Sequence, residues 1–331
     1  MHHAPLTAAE MGNLWNFYMA NTMSRCMLSH FLANVEDPEI RSLLTESDKL
    51  SRHIIDRVTA LLGEEGVPLP EGFRAEDVQA EAPRLFSDTF YLQYLDMMYK
   101  LGGIYYAITL SNISRMELRR WITKLSAAAL ELSNTITELM LNKGLYIRPP
   151  VIPPTEQGYV HRERFLAGFF GDKRPLSGVE ISQVFANLQF NSIKTALVTG
   201  FSQVARTDEV RDYFLRCKMI NIKQTTILSK LLVQDDLPAT LPSQFQITKS
   251  TVPPFSDKLM LFHVSNLSSA KVRNWGDSLA VSPRHDLGAD YERNLMETMK
   301  FADDGAKLLI ERGWMEQPPQ APEREKLRAG E

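Results

Sequence analysis

Glu46 and His53 come closest to a metal-binding pattern in this chain, and they stand seven residues apart. That is two helical turns, roughly 10 Å along one face, too far to share an ion without help. A carboxylate-bridged di-metal centre in a helix bundle asks for more. It takes one Glu from each of two helices and a Glu-x-x-His from each of the other two. No Glu-x-x-His occurs anywhere. Glu131 and Glu138 offer carboxylates without a histidine on their helix, and the second half offers Glu292 and Glu297. Glu46, His53, Glu131 and Glu138 are therefore only weak metal candidates, and no metal and no cofactor is expected.

Nucleophilic chemistry has no foothold either. There is no Gly-x-Ser-x-Gly elbow and no phosphate-binding glycine loop. Cys26 and Cys217 sit far apart in apolar stretches. They read as small buried residues in a reducing compartment rather than as a disulfide or a cysteine metal site. The polar residues of interest are amides and rings. Asn21 and Asn191 lie mid-helix near the apolar faces, where a buried amide must find partners or line a polar pocket. Tyr94 and His263 hold equivalent places on two helices and are further candidate internal polar positions. Tyr18, Tyr91, Tyr94, Tyr105 and Tyr106 make the first half rich in aromatic residues, a core that could also host a small apolar ligand.

The elements that must carry these residues are helices. Met11, Leu14, Trp15, Tyr18, Met23, Met27 and Phe31 recur at helical spacing, behind a Thr7…Glu10 capping box. A second helix is expected from Pro38 to Leu62 and a third from Ser87, interrupted by Gly102-Gly103. A fourth is expected from Arg115 to Asn142, opened by a Ser114…Glu117 box and closed at Gly144. The order then repeats. Lys143-Gly144-Leu145-Tyr146 returns as Arg312-Gly313-Trp314-Met315, and Phe86-Ser87-Asp88 as Phe255-Ser256-Asp257, both 169 residues later. Leu6 to Glu10 returns as Leu176 to Glu180, later by 170. Ser177…Glu180 caps the fifth helix, and Ser282-Pro283 is expected to open the eighth. Self-similarity at a fixed offset means one unit written twice.

Connection lengths set the topology. The first-to-second and third-to-fourth links are tight, whereas the second-to-third link is long enough to return along the whole bundle. Two hairpins joined by one long crossover is the ferritin-like arrangement. The expected fold class is all-α: two tandem ferritin-like four-helix bundles, each with a long crossover between its second and third helices. The boundaries are 1–147 for the first bundle, 148–175 for an apolar linker and 176–331 for the second bundle with a frayed, charged tail. Within the linker, Phe165 to Gly171 is apolar enough to lie on the bundles.

Hydrophobic residues make up 44% and charged residues 23% of 331 positions, so each half can bury a core. The net charge of −3 offers no basic field for nucleic acid. No apolar run reaches the ~20 residues of a membrane span. Met1-His2-His3-Ala4-Pro5 lacks the charged and apolar regions of a secretory signal. These features lead to an expectation of a cytoplasmic or spore-associated protein.

The chain also resembles a known family, the tandem ferritin-like proteins of endospore-forming bacteria. These form a domain-of-unknown-function family often labelled as spore coat proteins. The resemblance rests on Ala82-Pro83-Arg84-Leu85-Phe86-Ser87-Asp88, Lys143 to Pro150, Phe201-Ser202-Gln203-Val204-Ala205, Ser256-Asp257-Lys258-Leu259-Met260 and Gly313 to Pro319. It implies the ferritin-like fold for each half and carries no catalytic residues. The expected role is a non-catalytic structural or interaction protein, spore-coat associated by resemblance. Two alternatives stand beside it: a metal-dependent oxidoreductase with an atypical ligand set, and a carrier of a small apolar ligand in a bundle core. Protein partners are expected, with the halves packed about a pseudo-twofold axis in a monomer or small homo-oligomer. A close cluster of three or more carboxylates or imidazoles inside either bundle would favour the oxidoreductase, a closed cavity without one the carrier, and two solid cores the structural protein.

Overall fold

A computed structural model describes residues 4–160, 165–166, 173–239 and 247–329. Eight long helices stand among the described residues: α1 Ala8–Asn34, α2 Pro38–Glu64, α3 Asp88–Asn112, α4 Met116–Asn142, α5 Gly178–Val204, α6 Asp208–Val233, α7 Asp257–Ala280 and α8 His285–Glu311. A short α9, Arg324–Ala329, follows. Packing is heaviest within the pairs α1/α2, α3/α4, α5/α6 and α7/α8, so each half is a four-helix unit of two hairpins.

The hairpin ends are fixed by carboxylates. Asp88, the first residue of α3, accepts from the backbone N–H groups of Glu36 and Asp37 in the α1–α2 turn, at 3.2 and 2.7 Å. The start of α3 therefore lies beside the start of α2, and the intervening chain has to run the length of the bundle. It does so along α1. Cys26 Sγ donates to Arg74 O at 3.4 Å, and His30 Nδ1 meets Ala80 O at 3.1 Å. Asn34 Nδ2 donates to Ala82 O at 3.2 Å. Gly72 starts this run with a φ of +65°, and a Cβ there would fall 2.8 Å from Thr22 Oγ1, so only glycine lets the strap lie down on α1. The second half repeats the device. Asp257 accepts from Arg206 N and Thr207 N, both at 3.0 Å.

Two caps differ from the sequence expectation. Helix α4 begins at Met116 with Arg115 at its cap, and α8 begins at His285 with Arg284 at its cap. Ser114 makes no capping box with Glu117. Its N–H and hydroxyl both donate to Glu10, at 3.0 and 3.1 Å, and Arg115 N–H donates to the same oxygen at 2.9 Å. A buried carboxylate from another helix outcompetes the local serine for the orphan donors at a helix start. Glu180 does the corresponding work for α5 and α8, accepting from Arg284 N at 3.4 Å.

The two straps meet each other. Val78 bridges Phe255 and Ile247 bridges Phe86. Gln79 N donates to Pro254 O at 2.8 Å and Thr248 N to Leu85 O at 2.9 Å. Each pair maps onto the other by the offset of 169. The largest apolar cluster accordingly runs through both halves, from Met27 and Phe31 to Phe201 and Phe255. In the linker, Phe165 is half-buried under the Arg174 guanidinium, 4.4 Å from its ring centre. Residues 167–171 of the apolar stretch lie outside the described residues.

Candidate functional site: a cavity in the first half

Helix α1 turns Phe17, Asn21, Ser24 and Leu28 to one side, α2 turns Ser47, Ser51 and Ile54, and α3 turns Tyr94, Met98 and Tyr105. These are the three- and four-residue spacings of single helix faces. Between them, and closed on one side by α7 of the second half, lies a cavity of about 510 Å³. That is the ordinary size of a small-molecule pocket.

The cavity exists because small residues occupy the places where bulk would fill it. At the repeat offsets, Ala20 becomes Phe190, Ser24 becomes Lys194, Ser51 becomes Asn221 and Gly102 becomes Lys271. In the second half those larger side chains are buried at 6%, 1%, 2% and 1% exposure. The same scaffold is thus hollow in one copy and filled in the other. The hydroxyls of the hollow copy satisfy one another: Tyr99 OH donates to Ser47 Oγ at 3.0 Å, and Ser51 Oγ lies 3.5 Å from Ser24 Oγ. This leaves a mostly apolar wall.

One wall residue joins the halves. Tyr94 OH and His263 Nε2 are 3.1 Å apart, and His263 Nδ1 lies 3.1 Å from Met23 Sδ. Burial, with the nearby Lys194 charge adding to it, pushes His263 down to about 3. It is a neutral imidazole at neutral pH. Burial pushes Tyr94, Tyr99 and Tyr106 up. Groups tuned this far from 7 suit holding a shape, since proton transfer works best near the operating pH.

The filled copy has a polar interior. Lys194 Nζ donates to Ser268 Oγ at 2.9 Å. Lys271 Nζ donates to Asn187 Oδ1 at 2.9 Å and sits 4.0 Å above the Trp275 ring. Burial lowers both amines, Lys271 well below the ordinary lysine value, with Lys194 contributing to it. Asn191 and Asn294 have neither amide atom hydrogen-bonded. A second cavity, about 420 Å³, lies on the other side of α3 against α5. Of its charged residues, Asp96 and Lys100 pair at 2.6 Å, and Asp277 of α7 also lines it.

The residues singled out from sequence fall in different places. Glu46, His53, Glu131 and Glu138 are all exposed, and Glu46 pairs with Lys49 at 2.7 Å. The inward stripe of α2 runs through Leu43, Leu44, Ser47, Ser51 and Ile54, which puts Glu46 and His53 on its outside. Among the described residues no three His, Cys, Asp or Glu side chains gather as a metal site. Asn21 and Asn191 are not equivalent: Asn21 is half-buried on the cavity wall and donates to Phe17 O at 2.8 Å, while Asn191 is wholly buried without a partner. Tyr94 and His263 are brought together. Sequence reasoning missed Arg273, Lys194, Lys271 and the small residues of the wall. Aligning the halves position by position would have exposed the Gly102/Lys271 and Ser24/Lys194 contrasts.

With this geometry in hand, comparison with known proteins gives two likenesses. The family described as "Protein of unknown function (DUF3231)" matches residues 1–157 and again 164–327. A solved structure from Bacillus halodurans C-125, described as a "putative spore coat protein (BH2358)", is similar at 17% identity. That likeness covers 45% of this chain and 98% of that one, with a TM-score of 0.42. Among curated proteins none matches. Among the described residues no helix is long and apolar enough to cross a membrane.

Proposed function

The chain belongs to the DUF3231 family, matched once by each half, and from that premise we propose that it is a non-catalytic binding protein holding one small, largely apolar molecule in its first half. The observation that carries the reading is the cavity of about 510 Å³ opened by Ala20, Ser24, Ser51 and Gly102 and walled by α7 of the second half. We read the molecule as two tandem ferritin-like bundles, 1–147 and 176–331, joined by a linker at 148–175 and related by a pseudo-twofold axis. The long straps and the exchanged pairs Val78–Phe255 and Ile247–Phe86 support that description. In this arrangement the second copy is a wall and a brace, and the first is the container.

The test is binding of a neutral long-chain alcohol, 1-tetradecanol, followed by displacement of an environment-sensitive apolar fluorophore. One site per chain is expected. Ala20 is an exposed residue on the cavity wall, so Ala20→Trp should fill the space without entering a packed core, and should cut binding at least tenfold with an unchanged melting temperature. Binding that is non-saturable, or that survives Ala20→Trp undiminished, refutes the reading.

A further inference from the structure

Among the described residues that line the cavity, Arg273 alone carries a charge at neutral pH, since the other basic group there, His263, is held neutral by burial. Among the described residues no carboxylate lines the cavity. The Arg273 Nε is buried without a hydrogen-bond partner, and among the described residues no ion pair holds the guanidinium. A half-buried guanidinium left in this state is unusual. Arginine presents five donors in a rigid fork, and they are ordinarily matched to carboxylate or phosphate. The buried arginines Arg115 and Arg284, by contrast, are matched, Arg115 with Glu65 and Arg284 with Asp286.

Its place along the wall adds to this. His263 and Arg273 are ten residues apart on α7, so roughly 15 Å separates them along the helix axis. Leu267 and Ala270 lie between them on the same wall. Opposite stand apolar residues of the first half, including Phe17, Leu28, Leu95 and Leu101. The cavity therefore has an apolar length and a single cationic group near one end of the α7 wall.

We propose that the ligand is an amphiphile with an apolar body and an anionic head, a long-chain carboxylate, and that Arg273 binds the head through a bidentate ion pair. This rests on the binding reading given above and specifies its ligand class. The acyl chain would lie across Leu267 and Ala270 towards the Tyr94–His263 contact, and the carboxylate would take the donors of Arg273 that no protein group uses. A fork-to-fork pair at a partly desolvated site discriminates an anion from a neutral head of equal length.

The experiment compares tetradecanoate with 1-tetradecanol on the full chain at pH 7.5 by fluorophore displacement, for the wild type, Arg273→Gln and Arg273→Lys. Tetradecanoate should bind wild type at least tenfold more tightly than the alcohol. Arg273→Gln should bring the acid down to the level of the alcohol while costing the alcohol far less than the acid, and Arg273→Lys should restore part of the difference. For either ligand, each added methylene should tighten binding roughly fourfold until the cavity is full. Equal binding of acid and alcohol to wild type, or an equal loss of both in Arg273→Gln, overturns this inference and leaves the apolar-ligand reading standing. Binding of neither overturns both.

Discussion

At the residue scale the molecule depends on a few buried charges that tie distant segments together. The Glu10 carboxylate is fully buried and accepts from Thr7, Ser114 and Arg115, joining the starts of α1 and α4. Although burial alone would raise it, the backbone donors of Thr7, Arg115 and Ser114 hold it down at about 2. A carboxylate held this low contributes about 3 kcal/mol of stability at pH values above its unfolded pKa. That contribution is fully present at neutral pH and is lost as pH falls through 4.5 towards about 2. His263 adds a loss of the same sign. Its imidazole is held near 3, so below about 6.5 the unfolded chain takes up a proton that the folded chain refuses. Urea unfolding should thus show stability declining steadily from about pH 6.5 downward. Glu10→Gln should cost about 2 kcal/mol at pH 7, with the gap to wild type closing towards pH 2. A gap that stays constant with pH would mean the carboxylate's charge plays no part.

At the element scale the sequence was readable where the signal is local. Apolar periodicity marked the long helices of the first half and the repeat offset those of the second, and Thr7…Glu10 and Ser177…Glu180 marked two of their starts within a residue or two. It misled at Ser114 and Ser282, because the group that satisfies the α4 start comes from Glu10, over a hundred residues away. The glycines show the same limit. Gly102-Gly103 reads as a weak point or a close helix contact, yet α3 runs through it, and a Cβ on Gly103 would meet nothing within 4 Å. Gly200 is a position inside a helix where glycine is needed, since a Cβ there would lie 2.5 Å from the Phe86 ring. That ring is fully buried and stacked on Phe90 at 4.1 Å, so it has nowhere to retreat. The two substitutions should move stability in opposite directions. Gly103→Ala should add about 0.5–1 kcal/mol through helix propensity, and Gly200→Ala should lose about 1–2 kcal/mol through overpacking. Chemical denaturation of both variants decides this, and a neutral Gly200→Ala would show that the straps pack more loosely than described.

At the scale of the whole molecule, one unit has been written twice and then specialised. The repeat could be read from Phe86-Ser87-Asp88 and Phe255-Ser256-Asp257; the specialisation could not, because it lies in side-chain volume rather than in pattern. Ser24 and Lys194 fit the same helical periodicity, yet one leaves space and the other fills it. Nor does any single stretch announce a cavity whose walls come from α1, α2 and α3 on one side and α7 of the other half on the other. The Tyr94–His263 contact pairs two residues that hold equivalent positions in the two copies, and only the folded arrangement of the halves makes them neighbours. A ligand in this cavity would therefore touch both copies at once. The most direct measurement is photoaffinity labelling with a long-chain alcohol carrying a diazirine at its chain end, read by peptide mass spectrometry. Labels confined to cavity residues of α1 to α3 together with Leu267 or Ala270 of α7 are the expected result. Labels scattered over the outer surface, or confined to the second half alone, would contradict the account.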